Sequence, residues 1–274
     1  MNVGFMDKDI ISSAQNARVK GVLALRQKAA ERRKTGLFVV EGMRELQHCV
    51  EAGMAVDSLF VCPEIVGDAP EAWSLLEGVV PVRGMVEVTA GVYGKMAYRG
   101  GTEGVIAVVR GLRMGLQDLQ LGEHPLLVVL GGVEKPGNVG AILRSAEAAG
   151  ADAVVVCDEL TDLYNPNLIR SSVGARFRVP CVACDSEECI AFLKEQGISI
   201  LTAQLQDSDV YYDVDMKRGT AIVMGTEATG LTDRWRKAAD AHIRIPMLGR
   251  VDSLNVSVSA AVLLFEAVRQ RLNG

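Results

Sequence analysis

The sequence predicts an α/β protein made of two units, the first smaller than the second. Three observations lead there. Apolar runs of four to six residues alternate with longer stretches of helical periodicity. Hydrophobic residues make up 49% of the 274 but aromatic ones only 5%, so aliphatic and alanine side chains supply the apolar surface, as in strands covered by helices on both faces. A polar, glycine-dotted stretch at 111–124, GLRMGLQDLQLGEH, then interrupts the alternation and reads as a connection between two cores.

In the first unit, Ser12 or Ser13 can cap a helix that carries Val19, Val22 and Leu23 on one face. Strands are expected at 37–40, 58–62, 79–82 and 105–109, with the helical stretches MRELQHCVEA and EAWSLLE between them. This unit spans 1–110. The second spans 125–274 and opens on LLVVL at 126–130, followed by a helix at 139–149. Strands are expected at 153–156, 198–203, 221–225 and 242–247, and a last helix at 254–272. Alternation of this kind is the mark of a parallel sheet.

Composition narrows the function. No run of eighteen apolar residues occurs, and the first residues lack a basic stretch followed by an apolar one, so a cytoplasmic protein without membrane contact is expected. Six cysteines suit that compartment as reduced, buried thiols. Cys181, Cys184 and Cys189 include a C-x-x-C pair, but no histidine follows nearby to complete a zinc site. The segment is read as a strand end entering a helix, and no metal is expected. His48, His124 and His242 show no triad pattern and are read as packing or surface residues.

A net charge of -5 excludes indiscriminate nucleic-acid binding. Residues 17–44 nevertheless hold eight basic side chains (Arg18, Lys20, Arg26, Lys28, Arg32, Arg33, Lys34 and Arg44) against Glu31 and Glu41. That stretch is either a solvated helix face or a patch that meets phosphates.

Three loops of the second unit follow strand ends, where open α/β sheets bind ligands. In GGVEKPGNVGAILRSAEAAGA, 131–151, Asn138 can cap a helix with Arg144 near its second turn, a ready anion site. The spacing fits neither a dinucleotide fingerprint nor a P-loop. In IVMGTEATGL, 222–231, a strand ends at Gly225, and Glu227 and Gly230 shape a tight loop. In IPMLGRVDSLNVSVSAA, 245–261, Ser253 can cap a helix whose start carries Asn255 and Ser257, polar groups that need partners.

In order and content these segments resemble the SpoU (TrmH) family of RNA 2′-O-ribose methyltransferases, of the SPOUT class. The resemblance rests on Asn138, Gly140, Arg144 and Ala146, then Gly225, Glu227, Gly230 and Leu231, then Pro246, Ser253, Leu254, Asn255, Ser257 and Ala260. YNPNLIRSSVGARFRVP, 164–180, adds Asn165, Pro166, Arg170, Ser171 and Gly174, and residues 11–45 are similar to the substrate-recruiting extension many members carry.

The resemblance implies a C-terminal domain tied in a trefoil knot, an exception to the rule against threaded chains. It also implies S-adenosylmethionine as cofactor, an RNA substrate and a homodimer. By position, Thr202, Gly225, Ile245 and Leu254 would contact the cofactor, largely through backbone groups. Arg144 would anchor the target nucleotide, Asn138 would orient its ribose, and Glu227 would hold Asn138 or Arg144. Ser253 and Asn255 would complete the floor. The N-terminal extension favours ribosomal RNA, with transfer RNA still open. The alternatives are a base-directed SPOUT methyltransferase, or an RNA-binding ribosome-assembly factor without transfer activity. A nicotinamide oxidoreductase is disfavoured by the missing glycine fingerprint.

Overall fold

The computed structural model describes residues 10–79, 84–98, 103–158, 162–226 and 229–273. It divides the chain into two compact units, Met1–Leu112 with Tyr164–Pro166, and Arg113–Leu163 with Asn167–Gly274.

In the first unit, α1 (Ala17–Gln27) starts at Asn16, whose side chain accepts the Arg18 N–H at 2.9 Å, so neither expected serine is the cap. Val19, Val22 and Leu25 form its buried stripe. After α2 (Ala29–Thr35) come β1 (Leu37–Glu41), α3 (Met43–Glu51), β2 (Val56–Val61), α4 (Pro63–Val66) and α5 (Pro70–Val79). β3 (Met85–Glu87), α6 (Ala90–Met96) and β4 (Val105–Arg110) complete it. The strand expected at 79–82 is not found as such: Val79 ends α5, and 80–82 fall outside the described residues.

The sheet order is β1-β4-β2-β3, with β4 antiparallel to both neighbours and only β2 and β3 parallel. This unit is therefore mixed rather than parallel. A strand buried on both faces, as β4 is over 105–109, shows the same apolar run whichever way it points.

Two cations of the basic stretch are structural. Arg32 is buried, and its guanidinium donates to the Leu25 and Arg26 carbonyls at the end of α1. Arg26 donates to Met96 O at 2.8 Å and Ala97 O at 2.6 Å, where α6 ends. Carbonyls left open in a helix's last turn are favourable partners for a cation. Arg18, Lys20, Lys28, Arg33, Lys34 and Arg44 stay exposed.

The second unit contains β5 (Leu126–Gly131), α7 (Pro136–Ala148), β6 (Ala153–Cys157), α8 (Pro166–Ser172), α9 (Ala175–Arg178), β7 (Cys181–Cys184) and α10 (Ser186–Glu195). β8 (Ser199–Ala203), β9 (Asp209–Val210), β10 (Thr220–Met224), α11 (Asp233–Ala238), β11 (Ala241–Arg244) and α12 (Val256–Leu272) follow. Every pairing in its seven-stranded sheet is parallel, in the order β7-β6-β5-β10-β8-β11-β9. Period-two alternation splits β5 between two cores. Leu126, Val128 and Leu130 face α7 and α12, while Leu127 and Val129 join Phe192 and Trp235 on the other side.

Most of the stretch expected to be a connector, from Arg113 on, belongs to this unit: Leu116 is buried in the second of those cores, with Leu119 and Leu121 against it. Three apolar residues were enough to dock a segment that its glycines mark as loop.

Close approach places α8 on α7. A Cβ at Gly140 would stand 1.9 Å from Ser171 Oγ and 2.6 Å from the Leu168 carbonyl oxygen, so only glycine fits. On α12, Val256, Ala260, Leu263, Leu264 and Ala267 face the core, while Val258 and Phe265 are about half exposed. Among the described residues no helix is long and apolar enough to cross a membrane.

Candidate functional site

Strand order reverses beside β5: the chain moves outward through β6 and β7, then returns to the other side for β8 and slips β10 between. Ligand crevices open at the carboxyl ends of strands flanking such a switch. A cavity of about 170 Å³ lies there, over β8, β10 and β11. Met224, Ile243, Val256 and Leu263 form its apolar wall, and Gln204, Thr226 and Ser253 are among its polar groups.

Gly225, Ile245, Ser253 and Leu254 all border this cavity. Thr202 does not. It is fully buried, and its hydroxyl is 2.6 Å from His242 Nδ1. Adjacent side chains of a strand point to opposite faces, so Ala203 reaches the cavity wall and Thr202 turns away from it.

Gly225 has a second reason to be glycine. A Cβ there would lie 2.4 Å from the Gly230 carbonyl carbon and 2.6 Å from the Leu231 nitrogen. The returning loop, tied by reciprocal Thr226–Gly230 backbone hydrogen bonds of 3.1 Å, occupies the space a side chain needs. A substitution would collide with this loop before it met any ligand.

The polar cluster divides differently from expectation. Lys135 is the N-cap of α7 and Pro136 its first residue, which leaves Asn138 inside the first turn rather than capping it. Asn255, not Ser253, caps α12: its Oδ1 accepts from Ser257 N at 2.9 Å and Ser257 Oγ at 2.6 Å. With that oxygen engaged, Asn255 Nδ2 donates to Asn138 Oδ1 at 3.3 Å and ties the starts of α7 and α12 together. The serine before the helix was the more obvious cap in sequence, but the asparagine is the residue at the turn.

Arg144 is the ninth residue of α7, in its third turn, and is exposed, its side chain making no hydrogen bond or ion pair to another described residue. Six positions from Asn138, it leaves the helix about 120° around the axis from it. Glu227 lies outside the described residues.

Gln204 went unnoticed in the sequence. It lines the cavity, its Nε2 donates to Gln206 O at 2.8 Å, and its Oε1 is buried without a partner among the described residues. A buried acceptor left unsatisfied costs on the order of 1–3 kcal/mol and calls for a donor from a bound molecule. Its signal was its place directly after β8, a strand end that no motif marked.

A parallel sheet with a cavity over its middle strand ends, closed by a glycine-packed loop, defines an α/β protein with a crevice where such sheets take ligands. The chain belongs to the SpoU rRNA Methylase family, which matches residues 125–265; residues 16–107 match the MRM3-like substrate binding domain. It is 31% identical to the 23S rRNA (uridine(2479)-2′-O)-methyltransferase of Streptomyces viridochromogenes, over 96% of this chain and 93% of that protein. It is 41% identical to the 23S rRNA (guanosine-2′-O-)-methyltransferase RlmB of Xanthomonas axonopodis pv. citri, over 58% of this chain and 64% of that protein, just under two thirds of the relative's length. An AdoMet-bound rRNA methyltransferase from Sinorhizobium meliloti is similar in structure, with a TM-score of 0.85 and 28% identity over 94% of this chain and 97% of that one.

Proposed function

We propose that this protein transfers the methyl group of S-adenosylmethionine to a ribose 2′-hydroxyl of ribosomal RNA, as a cytoplasmic homodimer whose C-terminal domain is tied in a trefoil knot. The reading rests on one observation above all: Gly225, Ile245, Ser253 and Leu254, drawn from two separate motifs, border a single cavity at the strand ends. Family membership and the 23S rRNA methyltransferase names of its relatives support the substrate.

The cavity fits the cofactor. Its apolar wall suits a purine and a methylthio group, and Gln204 Oε1 supplies an acceptor for a ligand amine or hydroxyl. Backbone groups of Gly225, Ile245 and Leu254 would hold it. When bound, S-adenosylmethionine supplies an electrophilic methyl group on a sulfonium.

The chain's own task is to align and activate a poor nucleophile. Arg144, exposed and always charged, anchors a phosphate of the target nucleotide and stabilises oxyanion character on the 2′-oxygen. It cannot act as the base; the proton passes to a phosphate oxygen or water. Asn138 orients the ribose and is itself held by Asn255. Ser253 floors the site, and Glu227 completes it by supporting Asn138 or Arg144.

The dimer rests on α12, whose Val258 and Phe265 are 48% and 49% exposed at seven-residue spacing, the mark of a second packing face. Sedimentation at micromolar concentration should show a dimer. The test of the chemistry is transfer of labelled methyl from S-adenosylmethionine to 23S rRNA, followed by nucleoside analysis. Label on ribose supports the proposal. Label on a base would indicate a base-directed enzyme, and RNA binding without label an assembly factor.

A further inference from the structure

Away from the cavity, on the face of the sheet covered by α10 and α11, three thiols meet. Cys157 ends β6, Cys184 ends β7, and Cys189 lies in the first turn of α10. Their sulfur atoms all lie within 4.8 Å of one another. Cys157 and Cys184 are register partners on adjacent strands and therefore share a face. Cys181 is excluded by the same geometry: three residues before Cys184 on the strand, it points into the opposite core. The C-x-x-C pair visible in the sequence is thus not the pair that assembles, and Cys157, 27 residues upstream of Cys184, takes the place of Cys181.

We infer that Cys157, Cys184 and Cys189 form a binding site for a thiophilic divalent cation of the zinc class. Sulfurs around zinc at about 2.3 Å stand roughly 3.8 Å apart, inside the 4.8 Å that bounds this cluster. A disulfide would use two of the sulfurs and strand the third, whereas a cation uses all three. Three thiolates and a divalent ion leave one net negative charge, and a monovalent ion would leave two in a part of the core already flanked by Asp158 and Asp185. That charge balance favours the divalent ion. The fourth position falls to water entering beside Cys184, the half-buried member.

The surroundings hold the three sulfurs in place. Asp158 accepts from Ser186 N at 3.0 Å and Ser186 Oγ at 2.5 Å, and Trp235 Nε1 donates to Ser186 Oγ at 2.9 Å. The Asp158 N–H donates to Cys184 O at 3.1 Å, and Asp185 caps α10 by accepting from Glu188 N at 2.8 Å. Hydrogen-bonded frames of this kind orient metal ligands.

The full chain, purified under reducing conditions and freed of metal, would be titrated with Co²⁺ and read by thiolate-to-cobalt charge-transfer absorption. One equivalent should bind and be displaced by Zn²⁺, and bound Zn²⁺ should protect Cys184, the half-buried thiol, from a thiol reagent. Cys189→Ser and Cys184→Ser should each abolish the band, and Cys181→Ser should keep it. Circular dichroism identifies any variant that fails to fold, and Cys184→Ser, at the half-buried position, is the variant least exposed to that failure. Absence of a stoichiometric band in the folded wild type, its survival in both cluster variants, or formation of a disulfide without metal uptake would overturn the inference.

Discussion

The two ends of the site are built by different means. At the cavity, the proposed cofactor end, backbone is packed on backbone: Gly225 lies against the returning Gly230–Leu231 loop, and apolar side chains from β10, β11 and α12 close the wall. At the proposed substrate end, polar side chains stand on the surface of α7, with Asn138 anchored across to Asn255 and Arg144 exposed. The first arrangement tolerates no added atom, because packed interiors have no room to give. The second tolerates truncation, because removing an exposed side chain leaves the fold intact. One region should therefore fail through structure, and the other through chemistry alone.

The largest effect should come from Gly225→Val. The clash with the Gly230 backbone displaces the loop, costs about 1–3 kcal/mol of stability, and removes cofactor binding with it. Calorimetry with S-adenosylmethionine and a thermal melt check both losses together. Binding at wild-type affinity would mean that the loop gives way, and the contrast between the two ends would collapse.

Gln204→Leu sharpens the contrast within the cofactor end. It removes both an acceptor that has no described partner and the exposed Nε2 donation to Gln206 O, opposing effects on stability, so the melting temperature should change little while S-adenosylmethionine affinity falls about tenfold, the worth of one hydrogen bond. A lowered melting temperature with unchanged affinity would give Gln204 a purely structural role.

The smallest effect should come from the first unit. Neutralising Arg33 and Lys34 together should reduce the slope of log affinity for RNA against log salt by about one and a half, with cofactor affinity unchanged. Arg32 is left out because it is buried on the Leu25 and Arg26 carbonyls. An unaltered slope would make these two cations a solvated helix face.

Much of this was legible in the sequence. The parallel sheet of the second unit follows from its alternation, and the motifs that carry Gly225, Ile245, Ser253 and Leu254 are visible as polar loops after apolar runs. What escaped depended on direction and facing. The apolar run 105–109 could not reveal that β4 runs antiparallel. Thr202 and Ala203 differ by one residue and by a whole face of the sheet. The cap of α12 fell to Asn255 because the turn sits two residues later than the serine implied. Cys157 met Cys184 through strand register, which no local spacing encodes.

The division of labour is tested most directly by Arg144→Ala. The side chain is exposed, makes no hydrogen bond or ion pair to another described residue and does not border the cavity, so its loss should leave fold and S-adenosylmethionine affinity unchanged. Methyl transfer to 23S rRNA should fall by about thirtyfold to a thousandfold, equivalent to roughly 2–4 kcal/mol of transition-state stabilisation. Calorimetry and a labelled-methyl assay on the same preparation give both numbers. Wild-type transfer by Arg144→Ala, or loss of cofactor binding alongside transfer, would contradict the account.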